Sequence, residues 1–264
     1  MSETVAVAGS GTIATGLAVT AARHADVVLW ARSEASAARA KAAIEKQAAK
    51  LEVDAARVDV VTELSELGRG SILVEAVAED PEVKAVVLGE LVAVAGPDAI
   101  LASTTSSLSI EKLGEATGAP ERFVGLHVFN PVPKMKLVEL VFPAAATDAT
   151  KDRVRALVEL WEKIPVEVPD TPGFVVNKLL FPYLFSAVEL QEQTGVSPAD
   201  IDTAMTLGTG QPMGPFALLD FVGLDVSKAI GEVIGAAIPA SLDALVDAGK
   251  LGRKSGEGFL DWRK

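Results

Sequence analysis

Cysteine is absent from the 264-residue sequence, which excludes disulfide scaffolds, thiolate metal sites and cysteine nucleophiles. The absence agrees with a reducing compartment. Histidine is nearly absent too: only His24 and His127 are available for proton chemistry near neutral pH. Cations are short, 24 against 36 carboxylates, giving a net charge of -12. So acidic a surface repels nucleic acid and anionic membranes, and neither partner is expected. No apolar run reaches the roughly 18 residues that a membrane span requires. The start, Met1-Ser2-Glu3-Thr4, lacks the basic and apolar opening of a signal peptide, so a cytoplasmic protein is expected. What is plentiful is apolar side chain, 49% against 23% charged, enough to bury a sizeable core.

The order of apolar segments predicts an α/β chain. Thr4 to Ala8 is a strand that runs into Gly9-Ser10-Gly11, then a helix over Thr12 to His24 and a second strand over Asp26 to Ala31. A helix over Ser33 to Leu51 follows. Further strands are expected at 58–61, 72–76, 99–103 and 123–126, with helices at 81–94 and 110–117. This alternation implies a mostly parallel sheet covered on both faces, a Rossmann-type domain over 1–170. After Asp170-Thr171-Pro172-Gly173 the period becomes helical: 174–194, 197–207, 215–223, 224–238 and 241–248. An all-helical C-terminal domain is therefore predicted over 171–264, with a strand signal only at Gly258 to Trp262.

Gly9-x-Gly11-x-x-Ala14, between a strand and a helix, reads as a dinucleotide fingerprint. Gly9 permits the tight turn, Gly11 lets the backbone approach a pyrophosphate, and Ala14 keeps helix and strand close. The helix start, Thr12 and Ile13, offers amide donors and a positive dipole end. After the second strand stands Arg32-Ser33, with no carboxylate to accept bonds from a ribose 2′-hydroxyl. Arg32 as a fork and Ser33 as a donor fit a 2′-phosphate, so NADP is expected, with NAD as the alternative. The other reading is a solvated arginine beside a helix-capping serine.

His24 is expected at the surface. His127 ends an apolar strand, and the carboxyl ends of parallel strands face the ligand crevice. From position alone a structural histidine is as good a reading as a functional one. Glu139, twelve residues later and past Asn130-Pro131-Val132-Pro133, is flanked by Leu137, Val138, Leu140 and Val141, which predicts a buried strand. A buried carboxylate needs a partner, and the imidazole of His127 is the natural one. The alternative is an edge carboxylate facing water.

Several motifs together resemble the short-chain L-3-hydroxyacyl-CoA dehydrogenases, including the bacterial 3-hydroxybutyryl-CoA type. They are VEAVAE over 74–79 with Lys84, STTSSL over 103–108, Gly125 to Glu139, DTPGFVVNKLL over 170–180, residues 201–224 and LGRKSGEGF over 251–259. The resemblance implies a metal-free hydride transfer between NAD(P) and the 3-hydroxyl carbon of a short acyl-CoA. It implies a catalytic set of Ser106, His127, Glu139 and Asn177, with Glu79 and Lys84 near the cofactor's ribose and nicotinamide. Closure of the cleft between domains would complete that set. A homodimer formed through the helical domain is also implied, and Phe181, Tyr183, Phe185, Phe216 and Phe221 are apolar enough to suggest such an interface.

Three features depart from the family pattern. Thr104 replaces an asparagine, Arg32 stands where an acidic residue is usual, and the regions 32–58 and 231–241 look short. The first short region in relatives helps hold the CoA adenine end, so a carrier-protein thioester or a free 3-hydroxy acid is the alternative substrate. A non-catalytic dinucleotide-binding protein is the alternative of another class.

Overall fold

The computed structural model describes residues 3–263. The chain divides into two compact units, Met1–Asp170 and Thr171–Lys264.

In the first unit, short apolar segments pair as an eight-stranded sheet: β1 (Val5–Ala8), β2 (Val27–Trp30), β3 (Val58–Val61), β4 (Ile72–Glu75), β5 (Ile100–Ser103), β6 (Phe123–Val128), β7 (Leu137–Val141) and β8 (Ile164–Glu167). The order is β3-β2-β1-β4-β5-β6-β7-β8. The first six strands are parallel, β7 runs antiparallel to β6, and β8 follows β7 in parallel. β1, β4, β5 and β6 are buried along their whole length, as expected of strands covered on both faces. The strand order reverses between β1 and β4, and that switch point is where open α/β sheets bind ligands.

Among the described residues, five α-helices belong to this unit: α1 (Thr12–Ala22), α2 (Glu34–Leu51), α3 (Pro81–Val94), α4 (Ile110–Thr117) and α5 (Asp148–Leu160). α1 is buried from Ala14 to Ala22, which its small residues permit; Gly16 sits where a Cβ would come 3.0 Å from Val132. α2 starts on the Ser33 cap, α3 on Asp80 followed by Pro81, and α4 on Ser109.

The second unit is helical throughout: α6 (Val176–Thr194), α7 (Pro198–Thr209), α8 (Pro215–Val222), α9 (Leu224–Ile234) and α10 (Ala240–Asp247). Phe181, Phe185, Val188, Phe216, Leu219 and Leu224 form its core. The expected strand over 258–262 is replaced by two isolated bridges, because the buried carboxylate of Asp220 takes the amides of Phe259 and Leu260 and the indole of Trp262. Besides short 3-10 turns, the elements α5 and β8 lie beyond the sequence reading. His24 is half-buried rather than on the surface, and its Nε2 is enclosed with no hydrogen-bond partner among the described residues. Among the described residues no helix is long and apolar enough to cross a membrane.

Candidate functional site

The turn after β1 is shaped by backbone alone. Gly9 has φ 141°, and a Cβ there would lie 2.3 Å from the carbonyl oxygen of Ala76, the residue that follows β4. Glycine is therefore required by the neighbouring strand. Gly11 is the N-cap of α1 and supplies no side-chain cap, so helix geometry leaves the amides of Thr12, Ile13 and Ala14 without intrahelical acceptors. Apart from its own chain neighbours, no atom of the described residues lies within 4 Å of the place where a Gly11 Cβ would stand. Open space beside uncapped amides, at the positive end of a helix, fits a pyrophosphate.

At the end of β2, Ser33 accepts a bond from the Ser36 amide, and the two hydroxyls lie 2.9 Å apart. Arg39 reaches Ser36 Oγ at 3.2 Å. Arg32 is exposed, and among the described residues no hydrogen bond or ion pair engages its guanidinium. Two arginines and two hydroxyls therefore gather beyond β2, with Arg39 a member that the sequence reading missed. Along α1 runs a groove of about 270 Å³, lined by Thr12, Gly16, Gln47, Lys50 and the loop Asn130 to Lys134.

β4 ends in Glu75, fully buried, and this second missed residue holds much of the site in place. Its carboxylate accepts from Lys84 Nζ at 2.8 and 3.0 Å, from Ser103 Oγ at 2.5 Å and from the Val77 amide at 2.8 Å. Lys84, 1% exposed, also reaches Glu79 at 3.2 Å, so its ammonium serves these two carboxylates. Glu79 in turn organises the loop after β5. Its Oε1 accepts from Thr105 Oγ1 at 2.5 Å, Ser107 Oγ at 2.8 Å and the amides of Ser106 and Ser107 at 2.9 and 3.1 Å. Ser106 Oγ stands 3.4 Å from the same oxygen. The far end of this loop is tied by Asp170, which accepts from Ser109 Oγ and the amides of Ile110 and Glu111.

Burial opposes ionisation of Glu79, but the charge of Lys84 and the donors of Thr105, Ser107 and Ser106 outweigh it and hold the carboxyl below its ordinary 4.5. A lowered folded-state value means stability that is present above the unfolded value and lost as pH falls through the folded one. Wild type should therefore melt above Glu79→Gln at pH 6, with the gap shrinking below about pH 4.5. Thermal melts of both proteins between pH 3 and pH 7, steps of about one unit, check this; a gap that widened in acid would contradict it.

His127 and Glu139 face one another as a cross-strand pair of β6 and β7. His127 Nδ1 lies 2.6 Å from Glu139 Oε2, and both residues are buried. The twelve-residue spacing is what an antiparallel return through residues 129–136 produces. Phe129 packs against the imidazole, ring centres 4.6 Å apart. The first unit thus brings Ser106, Glu79 and Lys84 into one network and His127 and Glu139 into another. Asn177 lies in the first turn of α6, in the second unit.

The comparisons with known proteins agree along the chain. Residues 4–171 match the family described as 3-hydroxyacyl-CoA dehydrogenase, NAD binding domain, and residues 173–262 match the C-terminal domain of the same dehydrogenases. The mitochondrial hydroxyacyl-coenzyme A dehydrogenase of Rattus norvegicus is 40% identical, with 98% of this chain and 91% of that protein aligned. That alignment runs over 285 positions, more than the 264 residues here, so the relative carries extra residues. A probable 3-hydroxybutyryl-CoA dehydrogenase of Bacillus subtilis is 38% identical over 98% of this chain and 97% of its own. The crystal structure of (S)-3-hydroxybutyryl-CoA dehydrogenase from Ralstonia eutropha superposes with a TM-score of 0.92 at 34% identity, covering the whole of both chains. The chain belongs to the 3-hydroxyacyl-CoA dehydrogenase family.

Proposed function

We propose that this oxidoreductase interconverts the 3-hydroxyl and 3-keto forms of a short L-3-hydroxyacyl-CoA, 3-hydroxybutyryl-CoA among them. The observation that carries the reading is the buried His127–Glu139 pair at the carboxyl end of β6, within a chain of this family. When bound, the nicotinamide dinucleotide supplies the two-electron acceptor or donor. Everything else is the work of the chain's own residues. Glu139 holds Nδ1, so proton exchange with the substrate oxygen belongs to Nε2 of His127. That nitrogen takes the hydroxyl proton as C3 gives up its hydrogen with the electron pair, and returns a proton to oxygen in the opposite direction. Glu139 stands against the positive charge that the ring then carries. Ser106 and Asn177 are assigned the donors to the reacting oxygen. Glu79 and Lys84 are assigned to the ribose and nicotinamide end, where Glu79 also sets the loop that carries Ser106.

Gly9, Gly11, Thr12, Ile13 and Ala14 would hold the pyrophosphate. Arg32 and Ser33, with Arg39 behind them, favour a 2′-phosphate, and NADP is the proposed cofactor. A charge-assisted bond to phosphate contributes about 1.5–3 kcal/mol, so Arg32→Ala should raise KM for NADPH roughly tenfold or more and leave that for NADH within about twofold. Equal effects on both would remove Arg32 from cofactor selection. Stereochemistry tests the reaction itself: the L isomer of 3-hydroxybutyryl-CoA should turn over and the D isomer should not.

The proposed assembly is a homodimer through the helical unit. The aromatic residues that suggested it mostly serve that unit's own core, Phe181, Phe185 and Phe216 being buried. The apolar surface lies instead at Leu179 (70% exposed), Leu207 (83%), Leu190 and Phe221. Light scattering should give twice the chain mass of 27.4 kDa; a monomer would refute the proposal.

A further inference from the structure

Lys163, between α5 and β8, is a buried cation that no carboxylate of the described residues pairs with. It is 7% exposed, and its ammonium donates to the carbonyl oxygens of Val132 at 2.6 Å and Met135 at 2.7 Å. Those acceptors are neutral, and among the described residues no ion pair includes Lys163. Burial, and after it the charges of Arg23 and Lys136, push its pKa below the ordinary lysine value. An uncompensated charge out of water costs several kcal/mol, and further cations nearby add to that cost. The chain has 36 carboxylates, and among the described residues none is placed to pair with Lys163.

The surroundings are equally one-sided. Lys163 lines a cavity of about 170 Å³ together with Arg23, Lys134, Lys136, Trp161 and Glu162. That volume exceeds the share of several waters, roughly 30 Å³ each, and accommodates a tetrahedral anion. Four of these side chains are cations. The one carboxylate, Glu162, is largely exposed and 3.6 Å from Arg23. Trp161 is 2% exposed, and its indole Nε1 is a buried donor with no acceptor among the described residues. A donor-rich, acceptor-poor wall with a surplus of positive charge matches a dianion better than a single carboxylate.

We propose that this cavity is a phosphate-binding site, separate from the glycine turn and from the His127–Glu139 pair. The phosphate sits between Arg23 and Lys136, supplies the charge that Lys163 lacks, and offers an acceptor beside Trp161. Through Lys163 it steadies the loop 132–135, which also forms a wall of the groove along α1. Two sources share this chemistry. One is free inorganic phosphate. The other is a phosphate of a ligand lying in that groove, since Pro133 and Lys134 line both spaces.

The three tryptophans make the test site-specific. The indoles of Trp30 and Trp262 already donate to Thr62 O and to Asp220, so a phosphate in the cavity should move the Trp161 indole N–H signal alone. Protein labelled with ¹⁵N-tryptophan is titrated with inorganic phosphate against chloride at equal ionic strength, and Trp161→Phe assigns the signal. The expected result is a saturable shift of Trp161 with phosphate and none with chloride. In the Arg23→Gln/Lys136→Ser variant, whose changes lie at the rim, the midpoint should rise at least about tenfold. An unmoved Trp161 signal, or an unchanged midpoint in the variant, would overturn the site. Coenzyme A and its 3′-dephospho form separate the sources, and only this arm rests on the acyl-CoA reading. A Trp161 shift with the first alone assigns the site to the tail phosphate. Neither shifting it, while inorganic phosphate does, assigns free phosphate and leaves the dehydrogenase reading untouched.

Discussion

Replacing His127 by alanine should lower kcat by about 10²–10⁴-fold, the usual contribution of general acid–base help. Dinucleotide affinity should stay within about twofold, because the turn after β1 is built from Gly9, Gly11 and the start of α1 and contains no part of β6. Glu139→Gln should fall between wild type and His127→Ala. It keeps a side-chain oxygen near Nδ1 but removes the charge that faces a doubly protonated ring. Initial rates for the three proteins, with fluorescence titration of reduced dinucleotide, check the order. A His127→Ala enzyme that retained more than about a tenth of wild-type kcat would remove histidine from the chemistry.

The second large effect is on stability. Lys84→Met leaves Glu75 as a buried carboxylate whose remaining donors are Ser103 Oγ and the Val77 amide. Removing one partner of a buried pair costs about 3–5 kcal/mol, which at roughly 2–4 °C per kcal/mol lowers Tm by about 6–20 °C. Lys84→Met with Glu75→Gln should regain a good part of that loss, since no buried charge is then stranded. A double-mutant cycle by thermal or urea denaturation measures the coupling. If Lys84→Met melted within about 2 °C of wild type, the pair would be contributing little and Glu75 would be reached by water. The recovered double variant should still be a poor enzyme, because Glu79 has lost the cation that holds it beside the Ser106 loop.

Local pattern made much of both units readable. Val5 to Ala8 is apolar throughout and ends in a glycine that only a tight turn explains, and Ser33, Pro81 and Ser197-Pro198 mark helix starts. Elements without such punctuation escaped. β8 is Ile164-Pro165-Val166-Glu167, short, mostly exposed and interrupted by proline, the profile of a sheet edge. α5 buries Val154, Leu157 and Val158, a helical spacing carried by few apolar residues in a charged segment. The His127–Glu139 pairing was legible because an antiparallel return brings residues twelve apart face to face, and a carboxylate amid apolar neighbours asks for a partner. Glu75 gave a weaker signal, a carboxylate closing an all-buried strand. Its partner, Lys84, sits nine residues away on α3, and no period connects a strand end to a helix face. Arg39 was hidden for a similar reason: its reach to Ser36 depends on the α2 cap at Ser33.

Reduction of acetoacetyl-CoA reports on dehydrogenase chemistry at a 3-ketoacyl thioester without intermediate steps. Purified protein with acetoacetyl-CoA and matched NADPH or NADH, followed by loss of the reduced-nicotinamide absorbance, should turn over with both and faster at low cofactor with NADPH. Faster turnover with NADH would contradict the cofactor choice alone. Tight binding of dinucleotide with no acetoacetyl-CoA-dependent oxidation of either cofactor would contradict dehydrogenase chemistry on a short 3-ketoacyl-CoA.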